Sequence, residues 1–117
     1  MSERRTPRDE LLKGTLDLLV LEVLAGGRAH GYEIARRIAD RSEGDLLVEE
    51  GSLYPALHRL EQRGWLSAEW GRSEARRRAK FYALSRDGRR ELVARRKSWE
   101  RLSGAIGRVL RARGAEG

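Results

Sequence analysis

The chain has 117 residues, with 25 Lys and Arg against 18 Asp and Glu, for a formal net charge of +7. That length makes one domain able to bury about two thirds of its unfolded surface, and the 39% hydrophobic share falls at regular spacings that a disordered chain lacks. The absence of cysteine, with only His30 and His58 as histidines, excludes disulfides, thiol catalysis, iron–sulfur ligation and a histidine-rich metal site.

Residues 1–10 lack apolar periodicity and read as a flexible arm, although Thr6-Pro7 has the form of an N-cap followed by proline at the first helical position. Apolar residues then crowd 11–24, too many for one face, so this first helix is expected to be covered on more than one side. Asp17 and Glu22 interrupt the run, which is far short of the ~20 apolar residues that span a bilayer and is no signal-peptide core. The sequence therefore predicts a soluble, cytoplasmic chain with no membrane partner. Gly26-Gly27 stops the helix.

A second helix is predicted over 31–40, where Tyr32, Ala35, Ile38 and Ala39 follow the helical period, and Ser42-Glu43-Gly44 breaks it. The third lies within EEGSLYPALHRLEQRG, with Leu53, Leu57 and Leu60 as its apolar stripe and Gly64 as a left-handed terminator. Pro55 is tolerated at either start: with Ser52 as the N-cap its missing N–H has no partner to lose, and with the helix opening at Glu50 the partner it displaces, the Gly51 carbonyl, is still in the first turn. Residues 65–70 and 79–84 alternate as strands, and GRSEARRR between them reads as an arginine-rich hairpin tip. Ser85 then caps a long helix over 86–113, whose apolar positions Leu92, Trp99, Leu102, Ile106, Val109 and Leu110 form a narrow stripe of the kind that packs on a partner.

Three helices, a hairpin and a long helix describe a winged helix-turn-helix, a mainly α fold with a small β-hairpin and a C-terminal dimerisation helix. Its parts are a flexible arm (1–10), a DNA-binding domain (11–85), the dimerisation helix (86–113) and a disordered tail (114–117). The charge map suits this order. Residues 1–70 hold 10 basic and 13 acidic side chains, net −3, whereas residues 71–97 hold 11 and 3, net +8, and residues 98–117 hold 4 and 2, net +2. A polyanion such as double-stranded DNA is expected to meet the middle segment.

The stretches LLKGTLDLLVLEVL, HGYEIARRI, EEGSLYPALHRLEQRGWL, RRRAKFYALSRDGRREL and SWERL resemble, in order and spacing, the PadR family of winged-helix transcriptional regulators, over roughly residues 11–110. The single helix after the wing is similar to the family's short-tailed branch. The resemblance implies a homodimer, joined through the C-terminal and first helices, that binds an inverted repeat near promoters and most often represses. It also implies that the long-helix stripe from Leu92 to Leu110 is the dimer interface. In some members an aromatic residue at the place of Trp99 lines a drug pocket between subunits, so a small hydrophobic or aromatic effector is a candidate ligand at Trp99. Glu49-Glu50 departs from the small polar residue and proline that the family often has before its GxLY motif.

The candidates for reading DNA bases are Ser52, Leu53, Tyr54, Pro55, His58 and Arg59, with core packing as the competing role for Tyr54. The wing candidates for phosphate are Arg72, Arg76, Arg77, Arg78 and Lys80. Tyr32 either donates its hydroxyl to the DNA backbone or packs in the core. His30 is read as a structural residue at the start of the second helix. No GxSxG, P-loop or GxGxxG motif is present, and the adjacent Glu49 and Glu50 point in different directions on a helix. The chain is therefore expected to be no enzyme, with no cofactor and no metal. Two other readings stay open: a winged-helix protein-interaction module that has lost DNA binding, which the acidic first 70 residues favour, and an RNA-binding winged domain.

Overall fold

The computed structural model describes residues 7–116, with side chains from 14 to 112. Helix α1 (Pro7–Leu24) starts on the proline itself, so 7–10 are helical and not part of an arm. Proline suits that position because its φ is preset and its missing N–H would have had no partner. Thr6 and the rest of the expected arm lie outside the described residues.

Helix α1 touches α2 (Gly31–Arg41), α3 (Glu50–Gln62), the strand β3 (Arg78–Leu84) and the long helix α4 (Arg86–Glu116). This explains its surplus of apolar residues. Val20, Leu21 and Leu24 are buried against Ile34, Ile38, Leu53, Leu57 and Leu60, while Leu16, Leu18 and Leu19 pack at the edge of the core. Each large aliphatic side chain removed from water in this way contributes about 1.5–3 kcal/mol. Among the described residues no helix is long and apolar enough to cross a membrane.

Arg37 ties α2 to the end of α1, donating to the carbonyls of Gly27 at 2.9 Å and Val23 at 3.3 Å. These are carbonyls at and just beyond a helix C-terminus, where a cation is favourable. After α2, Ser42 closes the turn: its hydroxyl donates to the Ala39 carbonyl at 3.1 Å and accepts from the Leu46 N–H at 2.9 Å.

Of the two starts considered for α3, the earlier forms. Glu49 is the extended N-cap residue, and its carbonyl accepts from the Ser52 and Leu53 N–H groups at 3.0 and 2.9 Å. The end is a Schellman motif, with the Trp65 N–H donating to the Leu60 carbonyl and the Gly64 N–H to that of Glu61, both at 3.0 Å. Gly64 has φ +79°, which a side chain would strain.

Strands β2 (Leu66–Arg72) and β3 pair antiparallel from Leu66 opposite Leu84 to Arg72 opposite Arg78. The tip is therefore residues 73–77, shorter than expected, and Arg72 and Arg78 belong to strands. A further strand, β1 (Ala29–His30), adds to the other side of β3, giving the order β1-β3-β2. Two residues are too few for an alternating pattern to announce a strand.

Ser85 caps α4 as its sequence predicts: its hydroxyl accepts from the Gly88 N–H at 3.0 Å and donates to the Gly64 carbonyl at 2.6 Å. The helix continues to Glu116, through residues expected as a tail. Arg and Ala favour helix, and one glycine at 114 costs only about 1 kcal/mol. Gly117 lies outside the described residues.

Candidate nucleic-acid interface

The leucine stripe of α3 faces the core, which decides where the rest of the helix points. Ser52, Tyr54, Pro55 and His58 are exposed, whereas Leu53 is 1% exposed and belongs to the core. Leu53 is thus corrected from a base-reading candidate to a packing residue. It shares the helical period of Leu57 and Leu60, so burying those two buries it as well.

Arg59 is also redirected. Its guanidinium donates to Asp17 Oδ1 of α1 at 2.7 Å, an ion pair across 42 residues of sequence with Asp17 almost wholly buried. The exposed face of α3 consequently presents hydroxyls, a proline and an imidazole, but not its arginine.

Tyr54 is half-exposed and leans on the first turn of α2. A Cβ placed on Gly31 would sit 2.8 Å from the Tyr54 hydroxyl, so only glycine allows this close approach. His30 directly precedes it as the N-cap of α2, its Nδ1 accepting the Glu33 N–H at 3.3 Å. The HGY motif therefore has a local cause: His caps, Gly makes room for Tyr54, and Tyr32 points outward, 70% exposed. Tyr32 stacks loosely on His30, with ring centres 6.4 Å apart, and is not a core residue.

The wing divides its cations. At its base, Lys80 Nζ donates to Glu61 Oε1 of α3 at 2.9 Å. That hydrogen bond holds the Lys80 ammonium above its ordinary pKa, against the smaller opposing effect of burial. Arg78 lies over the Trp70 ring at 4.6 Å. Arg72, Arg76 and Arg77 are exposed, with no side-chain partner among the described residues, and Arg76 sits at φ +60° in the turn. Of the five wing cations expected to bind phosphate, Lys80 is thus committed to an internal pair.

Arg28, not singled out from sequence, pairs with Glu69 of β2 and lies over the Phe81 ring at 4.5 Å. Phe81 in turn meets His30 edge-on at 5.3 Å. These contacts join β1 to the wing. Trp70, exposed beside the cleft, is a further residue that the sequence does not single out; a tryptophan on the solvent side of an alternating strand is its only signal.

Between the wing and the helices lies an open cleft of about 1130 Å³, bordered by Tyr32, Tyr54, Trp70, Arg72, Arg77 and Lys80 among others. Burial pushes the Tyr82 hydroxyl, at its floor, above the usual tyrosine range, with a smaller lowering effect from Lys80. Among the described residues no cluster of three or more His, Asp or Glu is arranged to hold a metal ion.

On α4 the stripe splits in two. Leu92 is buried in the chain's own core and is corrected from an interface candidate, since it lies in the part of α4 that still packs on α1. Trp99, Leu102, Ile106, Val109 and Leu110 are exposed, and Val93 joins them.

Known proteins share this arrangement. A transcriptional regulator from Clostridium thermocellum is 26% identical with a TM-score of 0.76, covering 85% of this chain and 96% of its own. A PadR family transcriptional regulator from Eggerthella lenta is 34% identical with a TM-score of 0.72, over 86% of each chain. An uncharacterised protein of Lysinibacillus sphaericus is 27% identical over 92 residues, 79% of this chain and 84% of its own. The transcriptional regulator PadR-like family matches residues 20–94, from the middle of α1 through the wing into α4, and the chain belongs to that family.

Proposed function

We propose that the chain acts as a homodimeric repressor that binds an inverted-repeat operator in double-stranded DNA. The observation that carries this reading is that Tyr54, on the exposed side of α3, borders one open cleft together with Arg72 and Arg77, which have no side-chain partner among the described residues. On this reading the exposed Ser52, Tyr54, Pro55 and His58 meet base edges in the major groove, while Arg72, Arg76, Arg77 and Arg78 hold the neighbouring phosphates and Tyr32 offers its hydroxyl to the backbone. Two such heads read half-sites about one helical turn apart, ~34 Å, and repression follows from blocking polymerase. Footprinting the DNA upstream of the gene tests this. A protected inverted repeat is expected; salt-sensitive binding without a footprint favours an RNA or nonspecific role, and no nucleic-acid binding favours a protein-interaction module.

Dimerisation is assigned to the far part of α4, because five large apolar side chains from Trp99 to Leu110 stand about half or more exposed there and none belongs to the buried core of the described residues. Such a row is expected to pack against a second copy. A small aromatic effector would lodge at Trp99 between the two long helices and act by favouring one spacing of the heads over another. Trp99→Ala combined with Ile106→Ala is expected to give monomers in sedimentation; a surviving dimer moves the interface elsewhere.

A further inference from the structure

Asp17 of α1 is buried facing two guanidinium groups from different helices. Its Oδ1 accepts from Arg59 of α3 at 2.7 Å, and its Oδ2 is 4.0 Å from Arg95 of α4. The two arginines are not equivalent. Arg95 has a second carboxylate, Glu91, one turn earlier on its own helix at 2.7 Å, and it lies over the Trp65 ring at 5.2 Å. Arg59 has no other acidic partner among the described residues, and it is the single arginine within α3.

Arg59 follows Ser52 by seven residues and Pro55 by four, so the three share one edge of the helix. A guanidinium there, with five donors in a planar fork, is the side chain best suited to a phosphate or a guanine edge. Here it is turned inward.

We propose that Asp17 withholds Arg59 from DNA, so that the recognition helix discriminates among sequences while adding little nonspecific attraction. This rests on the DNA-binding reading above. Asp17 is then a positioning residue: removing its charge leaves Arg95 held by Glu91 and reduces the hold on Arg59 from a charged pair to at most a neutral hydrogen bond.

The test compares the unaltered chain with D17N, R59Q and D17N/R59Q, measuring affinity for a random-sequence duplex from about 50 to about 200 mM salt. One added phosphate contact steepens the log–log slope by about 0.9 per recognition helix, roughly a threefold extra loss of affinity across that range. D17N is expected to show this steeper slope and tighter binding at low salt. D17N/R59Q is expected to return to the unaltered slope, and R59Q alone to leave it unchanged. A merely structural role for Asp17 would lower the melting temperature of D17N without moving the slope of the folded protein, and that result overturns the proposal. A flatter slope for R59Q overturns it too, because Arg59 would already be on phosphate. Should D17N fail to fold, R59Q decides by the same criterion. An unaltered chain that binds no duplex at all removes the DNA-binding reading itself, an outcome distinct from binding with unmoved slopes.

Discussion

In α3 the one arginine ends against a buried carboxylate, whereas at the outer end of the wing Arg72, Arg76 and Arg77 end in solvent. The base of the wing behaves like the helix, with Lys80 reaching Glu61, while Arg78, opposite Arg72 in the last strand pair, meets only the Trp70 ring. What separates the two sets is distance from the packed body. Arg59 and Lys80, beside α1 and α3, find acidic side chains from the first 70 residues; the arginines at and beyond the last strand pair do not, among the described residues. Formal charge therefore overstates the attraction available at the helix and describes it well at the tip.

The largest effect expected along this division comes from Arg72, Arg76 and Arg77 together. Replacing all three with alanine should flatten the salt dependence of DNA binding by about 2.7 per wing, three contacts at about 0.9 each. An unchanged slope would erase the distinction between tip and helix.

Next is Gly31→Ala, which sets a methyl group 2.8 Å from the Tyr54 hydroxyl. Because that ring is half exposed and can swing toward solvent, the cost in chemical denaturation should be small, about 0.5 kcal/mol or less. The substitution should still weaken operator binding while leaving the salt slope alone, since the disturbed groups are uncharged. A slope that fell would mean that α3 and the wing move as one unit.

The smallest effect on DNA binding concerns Lys80. As a partly exposed pair, Lys80–Glu61 is worth about 0.2–1 kcal/mol, and Lys80→Met should lower stability by no more than that, with little change in slope. The pH dependence has a definite sign. Because the folded pKa of Lys80 is raised, its contribution is full below the unfolded value of about 10.4 and is lost as pH rises through the folded one. Tyr82, raised by burial, acts in the same direction, because the folded chain resists its ionisation above about pH 10. Melting temperature should therefore fall above about pH 10, and in Lys80→Met the Lys80–Glu61 part should be lost while the Tyr82 part persists, no longer offset by the ammonium. A flat profile for the unaltered chain would deny both assignments.

The four helices, the β-hairpin and most of their ends are legible in the sequence, because their signals are short-range. Ser85 caps within three residues, Gly64 terminates within five, and Leu53, Leu57 and Leu60 repeat within two turns of helix. The same locality limits it. By sequence Leu53 suits both the stripe and a base contact, and only its packing against α1 and α2 shows that one side chain cannot serve both. Leu92 looked continuous with Trp99 along α4, yet the helix leaves the body between them, so the first is core and the second is surface. β1 exists because β3 offers it an edge, which two residues cannot signal. The free and the committed cations were likewise settled only in three dimensions, since Arg59 finds its carboxylate 42 residues away and Lys80 finds its own at 19. Helix periods and caps are written in neighbouring residues; burial and charge pairing depend on which distant segments the fold brings together.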